Sequence, residues 1–137
     1  MAPPVPLILD ADAEQLIIDY LASGMTAFGY AGSVSDSVPS SRPVESIVVY
    51  RTGGPRRDLV TDRPQLTIEC RAGLNSRAAQ LGSWVRSLMH NLDGNDWILG
   101  GHAIYAYREM NGPYNDFDPV GNTPRYSQTG WVDIRSN

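Results

Sequence analysis

The sequence contains no lysine, only one cysteine, and no uninterrupted apolar stretch of the roughly 20 residues that a membrane-spanning helix requires. Without lysine, Schiff-base catalysis is excluded. With Cys70 alone, an internal disulfide and a cysteine-based metal cluster are excluded, which is typical of a protein from a reducing compartment. Residues 1–12 have no positively charged leader, so no secretory signal is expected. These absences predict a soluble, unexported protein.

The 137 residues are 42% hydrophobic and 19% charged, which is typical of one globular domain. We therefore expect a single domain spanning 1–137. All eleven basic residues are arginines against fifteen acidic ones, and the net charge is −4. A surface built to neutralise nucleic-acid phosphates needs a basic excess, so broad DNA binding is disfavoured.

Hydrophobic periodicity predicts two helices and four strands. The first helix is expected within 10–21, capped by Asp10 or Asp12, and the second begins at a cap of Asn75 or Ser76 and ends before Gly94. The strands are expected at 46–51, 65–71, 102–109 and 125–135, separated by long loops at 24–43, 51–64 and 109–124.

The order α-β-β-α-β-β predicts an α+β fold: a small, mostly antiparallel four-stranded sheet with two helices packed on one face. The opposite face is then either solvated by its polar side chains or buried by a neighbouring copy.

Catalytic signatures are missing from the sequence. It has no G-x-S-x-G, no H-E-x-x-H and no Walker-type loop. His90 and His102 are interpreted as structural or surface residues, and Asp116 and Asp118 as part of a solvated turn, because the ligand spacing of an EF-hand is absent. We expect no enzymatic activity, no cofactor and no metal.

One charged segment, RTGGPRRDLVTDRP, stands out from the rest of the chain. It is either an exposed hairpin loop or an intersubunit contact, since mixed arginine and aspartate on a protruding loop suit a complementary surface of another copy. The candidate partner surface is acid-rich and comprises Asp93, Asp96, Glu109, Asp116 and Asp118. If the two regions lie on opposite flanks of a subunit, the contact is heterologous and closes into a ring. The predicted interface residues are Arg51, Gly53, Gly54, Arg56, Arg57, Asp58, Asp62, Arg63, Asp116 and Asp118.

The middle third of the chain, VVYRTGGPRRDLVTDRPQLTIECRAGLNSRAAQLGSWVRSLMHNLDG, resembles the small tail terminator proteins of long-tailed bacteriophages, also called tail completion or minor tail proteins. The resemblance lies in a strand, a GG loop, a second strand and an alanine-rich helix, together with the first helix and the tyrosine-rich final strands. It implies a homohexameric ring that caps the tail tube, ends tube polymerisation and presents a surface to the head connector.

The same resemblance implies three partners: further copies of the chain, the major tail tube protein and a head-tail connector or neck protein. Genomic DNA would only pass through the lumen, with no membrane involved and no cofactor needed. The implied location is the head-proximal end of the virion tail, after assembly in the host cytoplasm.

Three alternatives remain open at this stage. The nearest is a head completion or neck adaptor protein that bridges portal and tail. A second is a small ligand-binding domain with a pocket lined by Trp84, Trp97, Tyr105 and Tyr107. The third is a nucleic-acid-binding module that uses the arginine loop, which predicts strongly salt-dependent affinity.

Overall fold

The computed structural model describes residues 7–136. The prediction that no secretory leader is present concerns mainly residues 1–6, which lie outside the described residues. The elements in chain order are α1 (Ala13–Thr26), β1 (Ser33–Ser35), β2 (Ser46–Arg51), β3 (Arg56–Asp58), β4 (Thr61–Asp62), β5 (Gln65–Arg71), α2 (Asn75–His90), β6 (Ile98–Leu99), β7 (His102–Asn115) and β8 (Arg125–Arg135). Neither described helix is long and apolar enough to cross a membrane.

The two helices lie close to their predicted positions but differ at their ends. Asp12 caps α1 by accepting a 3.1 Å hydrogen bond from the Gln15 amide, and the helix runs five residues further than predicted, to Thr26. Helix α2 begins at Asn75, and Leu74 occupies the cap position without a side-chain hydrogen bond. The expected cap by Asn75 or Ser76 is therefore wrong.

The prediction of a small four-stranded antiparallel sheet is also wrong, because the structure has an eight-stranded mixed sheet. The four predicted strands are present and run antiparallel to one another as β2, β5, β8 and β7. Four short strands enlarge the sheet: β1 pairs in parallel with β2, β3 pairs with β4, β4 extends the sheet beside the end of β8, and β6 pairs with β7. These additions involve two or three residues each, which is too short for a periodic signal.

The segments predicted as long loops contain part of this added structure. Segment 24–43 includes the end of α1 and strand β1, and segment 51–64 includes the β3–β4 hairpin. Strand β7 continues to Asn115, so the connection to β8 begins only at 116. Register shifts between Glu109 and Asn111 and between Asn111 and Tyr114 allow β7 to pass its Gly112-Pro113 pair while remaining paired with β8.

The core lies between the helices and one face of the sheet. Alternate β5 residues Leu66, Ile68 and Cys70 are at most 2% exposed and join one buried cluster with Leu21 of α1 and Leu81 of α2. The Tyr20 hydroxyl donates a 2.6 Å hydrogen bond to the Leu88 carbonyl and links the two helices. The helices therefore fix one face of the sheet, and polar side chains occupy the other face of β5.

Candidate interaction site

The β3–β4 hairpin is built on two consecutive glycines with positive φ. Gly53 has φ 104° and Gly54 has φ 94°, values that L side chains rarely adopt. A side chain at Gly54 would also overlap the Arg63 carbonyl and approach the Gln65 amide, whereas nothing lies within 4 Å of the corresponding point at Gly53. Gly54 thus permits the close approach of the segment before β3 to the segment after β4.

Arg51 anchors this hairpin from its base. Its guanidinium donates to both carboxylate oxygens of Asp62, at 2.7 and 3.0 Å, and to the Gly53 and Gly54 carbonyls at 2.9 and 3.1 Å. The Asp62 side chain is 4% exposed and that of Arg51 is 31% exposed, so the carboxylate of this bidentate pair is buried while the arginine keeps some contact with solvent. The hydrogen bonds to Asp62 raise the pKa of Arg51. Four residues of the predicted interface, Arg51, Gly53, Gly54 and Asp62, therefore have a structural role within the subunit.

Asp133 is a central part of this charged region that the sequence analysis missed. Its buried carboxylate accepts hydrogen bonds from Arg63 Nε at 2.7 Å and Nη2 at 3.2 Å, and from Arg57 Nη1 at 3.2 Å. The bond to Asp133 raises the pKa of Arg63, and the same guanidinium lies 5.8 Å from the centre of the Trp131 ring. An aspartate among buried residues near the end of a strand was the available signal, since a buried carboxylate needs a cationic partner.

The remaining charged residues of the hairpin also have partners in the chain. Arg56 pairs with Asp10 at 3.1 Å. Asp58 accepts a 3.0 Å bond from the Val60 amide, which lowers the pKa of its carboxyl group and closes the turn between the two short strands. The eight predicted interface residues between positions 51 and 63 are therefore adjacent in space.

Asp116 and Asp118 lie in a second charged cluster, after β7. Arg125 pairs with Asp116 at 3.2 Å, and Asp118 lies 3.6 Å from Arg71 and 3.9 Å from Arg125. Hydrogen bonds from the Gly121 and Val120 amides, with the nearby arginines, lower the pKa of Asp118.

The two clusters are at opposite ends of β8. Asp62 aligns with Ile134 near one end, and the Asp116 amide bonds to the Arg125 carbonyl at the other. Nine residues of strand separate these positions, or about 30 Å at the usual rise per residue. This arrangement meets the geometrical condition for a head-to-tail contact. Because the charges have partners inside the subunit, the intersubunit pairing stays a prediction.

The rest of the acid-rich region is also largely paired. Arg108 donates to Asp93 at 2.7 Å, and Arg86 donates twice to Glu109, each time at 2.7 Å. The bonds from Arg86 lower the pKa of Glu109, and the Tyr107 amide, followed by Arg108, lowers that of Asp93. Among the residues that the structure describes, Asp96 is exposed without a hydrogen bond or ion pair.

The four aromatic residues of the ligand-binding alternative do not converge on one pocket. Trp84 stacks on Phe28 with 4.9 Å between ring centres, Tyr105 is 44% exposed, and Tyr107 is buried. Trp97 alone of the four lines a cavity between the helices, of about 380 Å³, which we term the α1–α2 groove. Its apolar walls are Leu16, Tyr20, Leu88, Trp97 and Leu99, and Asp19 lies at its rim.

Each of the two histidines lies within hydrogen-bonding distance of an oxygen of the same chain. His90 Nε2 lies 3.2 Å from Glu109, and His102 Nδ1 lies 2.8 Å from the Arg135 carbonyl. Across residues 7–136, no group of three or more histidine, cysteine, aspartate or glutamate side chains is arranged to hold a metal ion.

Comparison with known proteins supports the fold but shows no family. No protein-family model matches the chain, and no curated protein matches it at a stringent threshold. Among solved structures, the chain is similar to one from the virion of a native gene transfer agent particle, with a TM-score of 0.63 and 11% sequence identity. The match covers 89% of this chain and 93% of the other. The protein thus shares the fold of a virion chain over nearly the whole of both sequences.

Proposed function

We propose that this protein is a structural component of a phage-like virion, and specifically a tail terminator: a ring that caps the tail tube, ends its polymerisation and joins the tail to the head connector. The carrying observation is the end-to-end fold similarity to a virion chain of a gene transfer agent. The resemblance of the middle third to tail terminators, which was seen in the sequence alone, supports the same role.

The proposed mechanism is geometrical and uses neither a cofactor nor catalysis. One face of the ring matches the last ring of tube protein and gains contact area there, while the other face lacks the surface to which further tube subunits add. The partners are other copies of the chain, the major tail tube protein and a neck protein. The proposed location of the protein is the head-proximal end of the virion tail, after assembly in the host cytoplasm.

Native mass spectrometry of the purified chain, with and without tail tube protein, tests this role. We expect a hexamer, either alone or on tubes, and electron microscopy should show that tubes capped by the protein stop growing. A species that requires the portal and has twelve copies would instead identify the neck adaptor. A monomer indifferent to tubes would contradict both.

The predicted charged interface has a separate test. Arg57→Glu should weaken ring formation, and adding Asp116→Arg should restore it if these residues meet across the subunit boundary. Arg135→Glu is the matched control, because it is the same kind of charge reversal at an exposed arginine that is outside the predicted interface and donates only a 3.4 Å bond to the Tyr105 hydroxyl. Undiminished assembly of the Arg57→Glu variant would contradict this pairing, but it would not contradict the proposal that the protein forms a ring.

A further inference from the structure

The α1–α2 groove is an apolar cleft with no occupant from its own subunit. Its volume of about 380 Å³ is within the range of pockets that take several side chains or a small ligand. The Tyr20 hydroxyl and the Trp97 indole nitrogen already donate within the chain, at 2.6 and 3.0 Å, so the cleft itself offers few polar groups. The exposed carboxylate of Asp19 accepts from Gln15, and it has no cationic partner within residues 7–136. The groove therefore suits an apolar segment that carries a positive charge.

The loop of residues 38–44 has this chemistry. Val38 and Val44 are 38% and 74% exposed and flank Arg42. The Arg42 amide donates a 2.9 Å bond to the Pro39 carbonyl, and Pro39 and Pro43 restrict the backbone on either side. A loop that is already ordered loses little conformational freedom on binding.

Arg42 differs from every other arginine in the described part of the chain. The other ten donate to, or pair with, an oxygen within residues 7–136. Arg42 has no such partner in that range, and its φ of 47° is uncommon for a residue with a side chain. It is an available cation, as Asp19 is an available anion.

The loop and the groove lie at opposite ends of α2. Val44 packs beside Gly73, just before the helix begins, whereas Leu88 and Asn91 line the groove at its end. Thirteen residues of helix separate Asn75 from Leu88, or about 20 Å at the usual rise. A loop cannot reach the groove of its own subunit, and a contact between two such different surfaces is heterologous.

We propose that the 38–44 loop of one copy docks in the α1–α2 groove of the next, with Val38 and Val44 against the apolar walls and Arg42 paired with Asp19. The contact repeats from subunit to subunit and closes the ring. This inference rests on the proposed function, because it assigns the surfaces that join neighbouring copies.

Disulfide trapping tests the contact directly. In the double variant Asp19→Cys with Arg42→Cys, each chain carries one thiol on each surface, and Cys70 is fully buried and does not compete. Oxidation should give a ladder of covalent oligomers up to the ring size on a non-reducing gel. Each single variant should give at most dimers, and a bond within one chain is excluded because a disulfide requires its two Cα atoms within about 7 Å.

Charge reversal provides a second test that does not need oxidation. Arg42→Glu or Asp19→Arg alone should raise the concentration for half-assembly roughly tenfold, and the two together should restore it. Arg135→Glu is the matched control, because Arg135 is exposed and donates only a 3.4 Å bond to the Tyr105 hydroxyl. It should leave assembly unchanged.

The outcomes separate this contact from the proposed ring. If the unmodified protein forms rings while the double-cysteine variant gives no ladder, or while the reversed charges have no effect, the contact is wrong and the ring remains. If the unmodified protein stays monomeric both alone and on tubes, the ring and this contact are both overturned.

Discussion

Replacing Asp133 by alanine removes the carboxylate that holds two arginine side chains against β8. This carboxylate is buried and accepts three hydrogen bonds from charged donors. Such bonds contribute about 1.5–3 kcal/mol each, but the side chains of Arg57 and Arg63 are 49% and 34% exposed and regain water when the pair is broken. We therefore expect a loss of about 2–3 kcal/mol in the free energy of unfolding.

Urea unfolding followed by tryptophan fluorescence measures this loss, with Trp131 close to Arg63 as a local reporter. In a thermal melt the midpoint should fall by roughly 6–12 °C. Asp93→Ala is the control, because the Asp93 carboxylate is 42% exposed and its partner Arg108 57% exposed, so the loss should be clearly smaller than that of Asp133→Ala. Equal losses in the two variants would refute the reasoning that burial gives the Asp133 pair its strength.

Three further changes have defined outcomes. Gly54→Ala should lower the free energy of unfolding by about 3 kcal/mol or more and Gly53→Ala by about 1 kcal/mol, in urea titrations, since only the first also creates a backbone clash. Arg86 lowers the pKa of Glu109 in the folded protein. The Glu109 carboxylate therefore contributes fully to the free energy of unfolding above its ordinary pKa of 4.5, and this contribution is lost as the pH falls through the lower pKa of the folded state. Arg86→Met should raise the pKa of Glu109 in an NMR titration, and an unchanged value would contradict the assignment. Leu81→Ala, at a fully buried position of α2, should cost about 2–5 kcal/mol by chemical denaturation, and a loss below 1 kcal/mol would contradict its place in the core.

The sequence was most informative where periodicity extends over many residues. In strand β5 every second residue is apolar, and in helix α2 the apolar residues recur at helical spacing. Both patterns extend far enough to locate the element closely. Strand β1 was missed because its three residues, Ser33–Ser35, carry no period and are extended only through parallel pairing with β2. An exposed hairpin loop was one of the two interpretations of segment 51–64, but its strands β3 and β4 were not predicted, since they are short and rich in charge.

The charged site was only partly predictable. The loop at 51–63 was recognised as a unit because its arginines and aspartates are close in sequence. Asp133 was not connected to it, since 70 residues separate this carboxylate from Arg63 and no local pattern links them. Composition likewise could not show that Arg42 differs from the other arginines, because the difference lies in their long-range partners.

The position of β8 in the sheet has a consequence for how the chain folds. Its pairing with β4 and β5 on one side and β7 on the other makes it the strand that joins the two halves of the sheet, and it follows every other strand in the sequence. The β1–β2–β5 half cannot connect to β7 until β8 has been synthesised and inserted. We therefore expect the sheet to complete late and slowly, as is usual where distant segments must meet, with the earlier strands exposed to the translation machinery and chaperones in the interval.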